Sequence, residues 1–141
     1  LAIEIARVQA GDVAPFYRAN EREALRALYG FSVVWHDQVH DFAATDDGVT
    51  AGAATIRIAA SLAHVERIVV APSHRRRGIG RRLLEAAADA ASYYNCHKMT
   101  AFVPHGSAAQ RFFEACDYRE EALLLQHTFK LDVAVLRKFL L

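Results

Sequence analysis

Apolar and polar positions alternate over residues 2–8, with Ile3, Ile5 and Val8 set against Glu4 and Arg7, which predicts a first strand. Gly11-Asp12 then opens a helical stretch holding Val13, Phe16 and Tyr17, with Pro15 in its first turn. A second helical run over 21–28 sets Ala24, Leu25 and Leu28 on one face and closes at Gly30. Residues 39–45 and 49–59 read as antiparallel strands joined by a tight turn at Asp46-Asp47-Gly48. From Ser61 the chain turns into another strand, whose β-branched stretch 66–72 ends at Pro72. Ile79, Leu83, Ala86, Ala87, Ala90 and Tyr94 recur at helical spacing with no proline among them. Residues 98–103 form an apolar strand stopped by Pro104, and residues 107–116 a helix that turns Ala108, Ala109, Phe112 and Phe113 to the core. Residues 122–131 give a last strand pattern. Val133, Leu136 and Leu140 are spaced for a terminal helix, with 132–141 as an extension.

Composition narrows this to one globular domain over residues 1–141, 53% hydrophobic and 23% charged. A net charge of +1 argues against a global polyanion-binding surface. Positive charge is instead local, with Arg75, Arg76, Arg77, Arg81 and Arg82 crowded together. That run lacks interleaved aromatics and a second basic cluster, so no nucleic-acid partner is expected. No apolar run is long enough for a membrane helix, and no secretory core is present. Cys96 and Cys116 are too few and too distant for a metal knuckle or a disulfide scaffold, which suits a cytoplasmic protein with reduced thiols. The chain opens on Leu1 and not on methionine, so it reads as trimmed or as part of a longer product.

The arginine run lies between the strand ending at Pro72 and the helix beginning near Ile79. Strand, basic glycine turn and helix together suit phosphate: the first helical amides lack internal partners and glycines let a ligand approach them. A P-loop is excluded, since no glycine pair five apart precedes Lys and Ser or Thr. A dinucleotide fingerprint is excluded too, because Leu83 stands where its third glycine belongs. Arg75-Arg76-Arg77-Gly78-Ile79-Gly80 is an Arg-x-x-Gly-x-Gly after a strand, and it resembles the acetyl-coenzyme A signature of the GNAT (Gcn5-related) N-acetyltransferases.

The resemblance covers most of residues 2–131. It implies an α/β fold with a central, mixed but mostly antiparallel sheet flanked by helices. It further implies that the strand backbone at Ile68, Val69 and Val70 pairs with the pantetheine arm of acetyl-CoA. Arg75, Arg76, Arg77, Gly78, Ile79, Gly80 and Arg81 then hold its pyrophosphate. In some family members a glutamate base stands on this strand, where Glu66 stands here; a period of two puts Glu66 on the face of Val70. The alternative for Glu66 is a solvent-exposed strand glutamate or one salt-bridged to Arg67 or Arg57, and His64 is a second choice of base. Many members carry a tyrosine acid in a pattern like Ala-x-x-x-Tyr-Glu-x-x-Gly-Phe. The matching run, Ala109 to Tyr118, has Phe113 in place of the tyrosine and Asp117 in place of the glycine. Tyr93, Tyr94 and Tyr118 are potential substitutes. Gly106 replaces a cofactor-touching asparagine, a contact that Ser107 is positioned to take over.

These readings lead to an acetyl-CoA-dependent N-acetyltransferase that transfers directly to a primary amine, with Glu66 as the catalytic base. A non-catalytic acyl-CoA-binding module is the alternative that Phe113 motivates. His36 and His40 are four apart but lie in a strand-like context, and no ligand cluster completes them, so no metal is expected. Glu21, Glu23, Asp37 and Asp41 flank the expected acceptor pocket, and Tyr29, Phe31 and Trp35 could line it. The acceptor is an amine of unspecified kind, small molecule or protein, and a homodimer is left open.

Overall fold

Residues 2–140 are described by a computed structural model, which divides them into two compact units meeting in sequence at Trp35 and His36. The first unit holds one helix, α1 (Ala14–Tyr29). Two helices were expected here. No breaker separates them, since Arg18, Ala19 and Asn20 all tolerate a helix, and the turns run together. Pro15 sits in the first turn, and Gly30 ends the helix in a left-handed conformation (φ 81°) with its N–H on the Arg26 carbonyl. The strand expected over 2–8 is absent: Ile3 and Ile5 are exposed and pair with no neighbour. Alternation makes a strand only where another edge supplies hydrogen bonds.

In the second unit β1 (Gln38–Asp46), β2 (Val49–Ala59) and β3 (Leu62–Val70) form an antiparallel meander. Helix α2 (Ile79–Tyr93) leads to β4 (Lys98–Pro104), α3 (Ala108–Ala115) to β5 (Arg119–Leu124), and β6 (Val133–Phe139) ends the unit. The sheet order is β1-β2-β3-β4-β6-β5. Only β3 and β4 are parallel, so the mixed, mostly antiparallel α/β expectation holds.

Two predicted elements are corrected here. The terminal helix expected over 130–141 is strand β6, inserted between β4 and β5 and paired with both. Short apolar runs fit either period, and β-branched Val133 and Val135 with two open edges to satisfy favour the strand. The strand expected over 122–131 is β5, which starts and ends earlier. A loop follows it, containing a 3₁₀ turn, Thr128–Lys130, in which Phe129 has a φ of 52°.

Both α2 and α3 cover the same face of the sheet. Leu84, Ala87 and Ala91 from α2 and Phe113 from α3 join Ile56, Val65, Met99 and Leu136 in one core. Ile56, Met99 and Leu136 are wholly enclosed, each contributing about 1.5–3 kcal/mol by burial. Gly52 on β2 lets α2 come close: a Cβ there would lie 3.1 Å from the Ile79 side chain and 3.3 Å from that of Leu83.

Candidate active site

The basic turn folds as a 3₁₀ turn, Pro72–His74, followed by a left-handed Arg76 (φ 64°) and a left-handed Gly78 (φ 75°) that caps α2. Among the described residues, no group accepts a hydrogen bond from the amides of residues 76–81. These consecutive N–H groups lie at the positive end of the α2 dipole. Asp46, at the end of β1, pins the turn from outside: its Oδ2 lies 3.0 Å from His74 Nε2 and 3.5 Å from Arg77 Nη1. The bond to His74, with Arg77 nearby, holds the Asp46 carboxyl below its ordinary range. Arg81 reaches across to the Ala115 carbonyl at the end of α3, a cation at a helix C-terminus.

Beneath the turn lies a cavity of about 600 Å³, walled by Ile68 and Val70, the head of α2, and the α3 residues Ala108, Ala109, Phe112 and Phe113. Gly80 is fitted to this wall, since a Cβ there would stand 2.9 Å from the Phe112 ring. Among the predicted cofactor residues, Ile68, Val70, Arg75, Arg76, Gly78, Ile79, Gly80 and Arg81 line this cavity. Arg77 is turned to Asp46 instead. Ser107 caps α3, its Oγ accepting from the Gln110 amide.

Strands β3 and β4 pair only over Leu62–His64 and Lys98–Thr100, although β3 continues to Val70 and β4 to Pro104. Beyond His64 the β4-facing edge of β3 therefore has no ladder partner. A second cavity of about 260 Å³ occupies the opening, lined by Glu66, Arg67, Val69, Phe102 and Val103 among others. It shares Ile68, Ala109 and Phe113 with the first cavity.

The β2–β3 register jumps from Ile56–Val65 to Thr55–Arg67, leaving Glu66 as the extra residue of a bulge. Period two therefore fails at this point, and Glu66 does not share the face of Ile68 and Val70. It turns to Arg57, whose Nε donates to Glu66 Oε1 at 2.7 Å, while Nη1 of the same guanidinium donates to Asp37 at 3.2 Å. His64 Nδ1 lies 2.8 Å from Thr100 Oγ1, with the ring edge-on to Phe102. Burial pushes the His64 imidazole below its ordinary range, and the Glu66 charge opposes this.

On α3, Phe113 is buried at the junction of the two cavities and has no proton to give. Tyr118 packs on Phe113, and its hydroxyl donates to Met99 Sδ at 3.5 Å. Burial drives the Tyr118 phenol far above its ordinary value, so it does not substitute as an acid. Tyr94 stacks on His40, which also bonds Gln38. Arg57 was foreseen, with Arg67, as a neighbour of Glu66 in the reading of Glu66 as a salt-bridged strand glutamate, and the pair with Arg57 is found. The hold of Asp46 on the turn and the seat of Phe112 against Gly80 depend on partners distant in the chain and were not readable.

An open parallel seam, free amides at the adjacent helix head and two cavities that share lining residues lie side by side in this part of the fold. The chain belongs to the GNAT family of acetyltransferases, whose model, described as "Acetyltransferase (GNAT) family", matches residues 6–118. Solved structures agree on the fold. An acetyltransferase from Bacillus cereus ATCC 14579 is 18% identical, with a TM-score of 0.72 over 96% of this chain and 98% of that one. The ribosomal-protein-S18-alanine N-acetyltransferase from Escherichia coli is 20% identical, with a TM-score of 0.64 over 96% and 92%. The IAA acetyltransferase from the same Bacillus cereus strain is 18% identical, with a TM-score of 0.65 over 93% of each chain. A search of curated proteins finds no match to the sequence.

Proposed function

We propose that the protein is an acetyl-CoA-dependent N-acetyltransferase that transfers directly to a primary amine. The row of unpartnered amides at residues 76–81, set beside the open β3 edge, carries this reading. The residues fit the coenzyme: amides and arginines suit its diphosphate, and the cavity joins them to the seam. When bound, acetyl-CoA would supply an acetyl thioester open to nucleophilic attack.

The chain's own residues account for the rest. The free edge of Ile68–Val70 aligns an extended ligand arm by strand-like hydrogen bonds. Preorganised donors there polarise a carbonyl without reorganisation at the moment of reaction. An amine of pKa near 10.4 is neutral about once in 2,500 molecules at pH 7, a cost of roughly 4.6 kcal/mol. Glu66, held by Arg57, receives its proton, directly or through water. Phe113 leaves the departing sulfur without a side-chain acid at that position. Two free buried thiols, Cys96 and Cys116, support a reducing, cytoplasmic setting.

An amine screen with acetyl-CoA tests the reading. Turnover on at least one amine is expected, with Glu66→Gln lowering kcat about 10²-fold or more. Coenzyme binding with no turnover on any amine would leave the acyl-CoA-binding module that Phe113 favours.

A further inference from the structure

We propose that the acceptor is an α-amino acid with an apolar side chain, its carboxylate held by Arg67 while its amine faces Glu66. The inference rests on the transferase reading above and deepens it. In a regular strand, neighbouring side chains point to opposite faces. At the β3 bulge this alternation is interrupted, and along the unpaired edge from Val65 to Val69 the second cavity is lined by, among others, the consecutive and oppositely charged Glu66 and Arg67.

Their surroundings differ in one respect. Glu66 is oriented by Arg57, whose charge is taken up by Glu66 and Asp37 together. Asp41, in the neighbouring column, accepts from the Thr55 hydroxyl at 2.6 Å. Among the described residues Arg67, which is exposed and lines the cavity, has no ion pair and no hydrogen-bonded acceptor. The remaining wall is apolar, with Val69, Phe102 and Val103.

A guanidinium fork matches a carboxylate in two parallel bonds. An acidic and a basic head from adjacent residues therefore match a ligand whose amine and carboxylate share one carbon. A polyamine would bring a second cation towards Arg67, and a lysine side chain has no carboxylate beside its amine. In the transfer the amine nitrogen bonds to the acetyl carbon as the carbon–sulfur bond breaks. The electron pair leaves with sulfur as the coenzyme A thiolate, and the amine proton passes to Glu66.

The test titrates phenylalanine, leucine and methionine into the full chain by calorimetry, with and without unacetylated coenzyme A. Phenylalaninamide, phenethylamine and spermidine serve as controls. At least one of the acids should bind about tenfold or more tighter than every control, the size of one charge-assisted hydrogen bond. Arg67→Ala should reduce that preference to about twofold or less, and Arg67→Lys should retain part of it, both with unchanged circular dichroism. The proposal is overturned if none of the three acids binds, if the amide binds as well as the acid, or if the preference survives Arg67→Ala. Acetyl transfer to phenethylamine or spermidine but to none of the acids would leave the transferase standing and overturn this proposal. A carboxylate preference that depends on Arg67, in a protein that does not bind the coenzyme, would keep an amino-acid site but overturn both the transferase and the acceptor role proposed here.

Discussion

Arg57 bridges Asp37 and Glu66, and the bond to Glu66 does more than stabilise a surface pair. Exposed ion pairs contribute little to folding, so the consequence of this one is orientation. Arg57→Ala should therefore leave stability within about 1 kcal/mol of wild type while lowering kcat. Denaturant unfolding beside steady-state kinetics checks this, and a drop in stability alone would count against a positioning role. His64 gives a pH signature. Unfolded, its imidazole titrates near 6.5. Folded, burial beside Phe102 lowers that value, so the native state binds fewer protons in between. The stability that neutral His64 allows is complete above pH 6.5 and declines as pH falls towards the folded value. Unfolding at pH 7.5 and 5.5 should show a loss on acidification that is smaller in His64→Gln. At the cavity junction, Phe113→Tyr places a phenol where no side-chain acid now stands. It should raise kcat by about 10²-fold, the low end of general acid catalysis, with acetyl-CoA affinity unchanged.

At the scale of elements, the strand, basic turn and α2 were legible in sequence because their signals are local. They consist of a proline, two glycines and an uninterrupted 3.6-residue period. Helix α3 was readable for the same reason, through its apolar spacing, although only Phe113 of the expected face is buried, with Phe112 half-buried and Ala108 and Ala109 exposed on the cavity wall. The bulge at Glu66 was not readable, because one extra residue declares itself only against a partner strand, and with it went the face assignment of Glu66. Strand β6 was hidden likewise: Val133, Leu136 and Leu140 satisfy a helical period, and what decides is the pair of open edges awaiting them. The contact of α2 with the sheet is sensitive at Gly52, where a Cβ would meet Ile79, Leu83 and the Val69 carbonyl at 3.1–3.3 Å. Gly52→Val should destabilise the protein by roughly 1–3 kcal/mol through overpacking, as read by denaturant unfolding.

At the scale of the whole molecule, a core on one face of the sheet supports a seam that must stay open. Helices α2 and α3 share that core, so the cavity between them is held by packing and by the Arg81 link to Ala115. Leu136, fully enclosed in β6 between β4 and β5, tests how much the core contributes. Leu136→Ala should cost about 2–5 kcal/mol and lower Tm by roughly 4–20 °C. The family and fold were legible from residues 66–94 together with the order of elements. Of the ion-pair network around Glu66, Arg57 was foreseen as a partner, whereas the link on to Asp37, in the segment before β1, was not.

Calorimetric titration with acetyl-CoA, beside a Gly80→Asp variant shown by circular dichroism to be folded, tests the central claim most directly. The account predicts saturable one-to-one binding by the wild type and its loss in the variant. There a new side chain meets the Phe112 ring and a negative charge faces the phosphates. Folded wild type that does not bind acetyl-CoA, or equal binding by the variant, would contradict it.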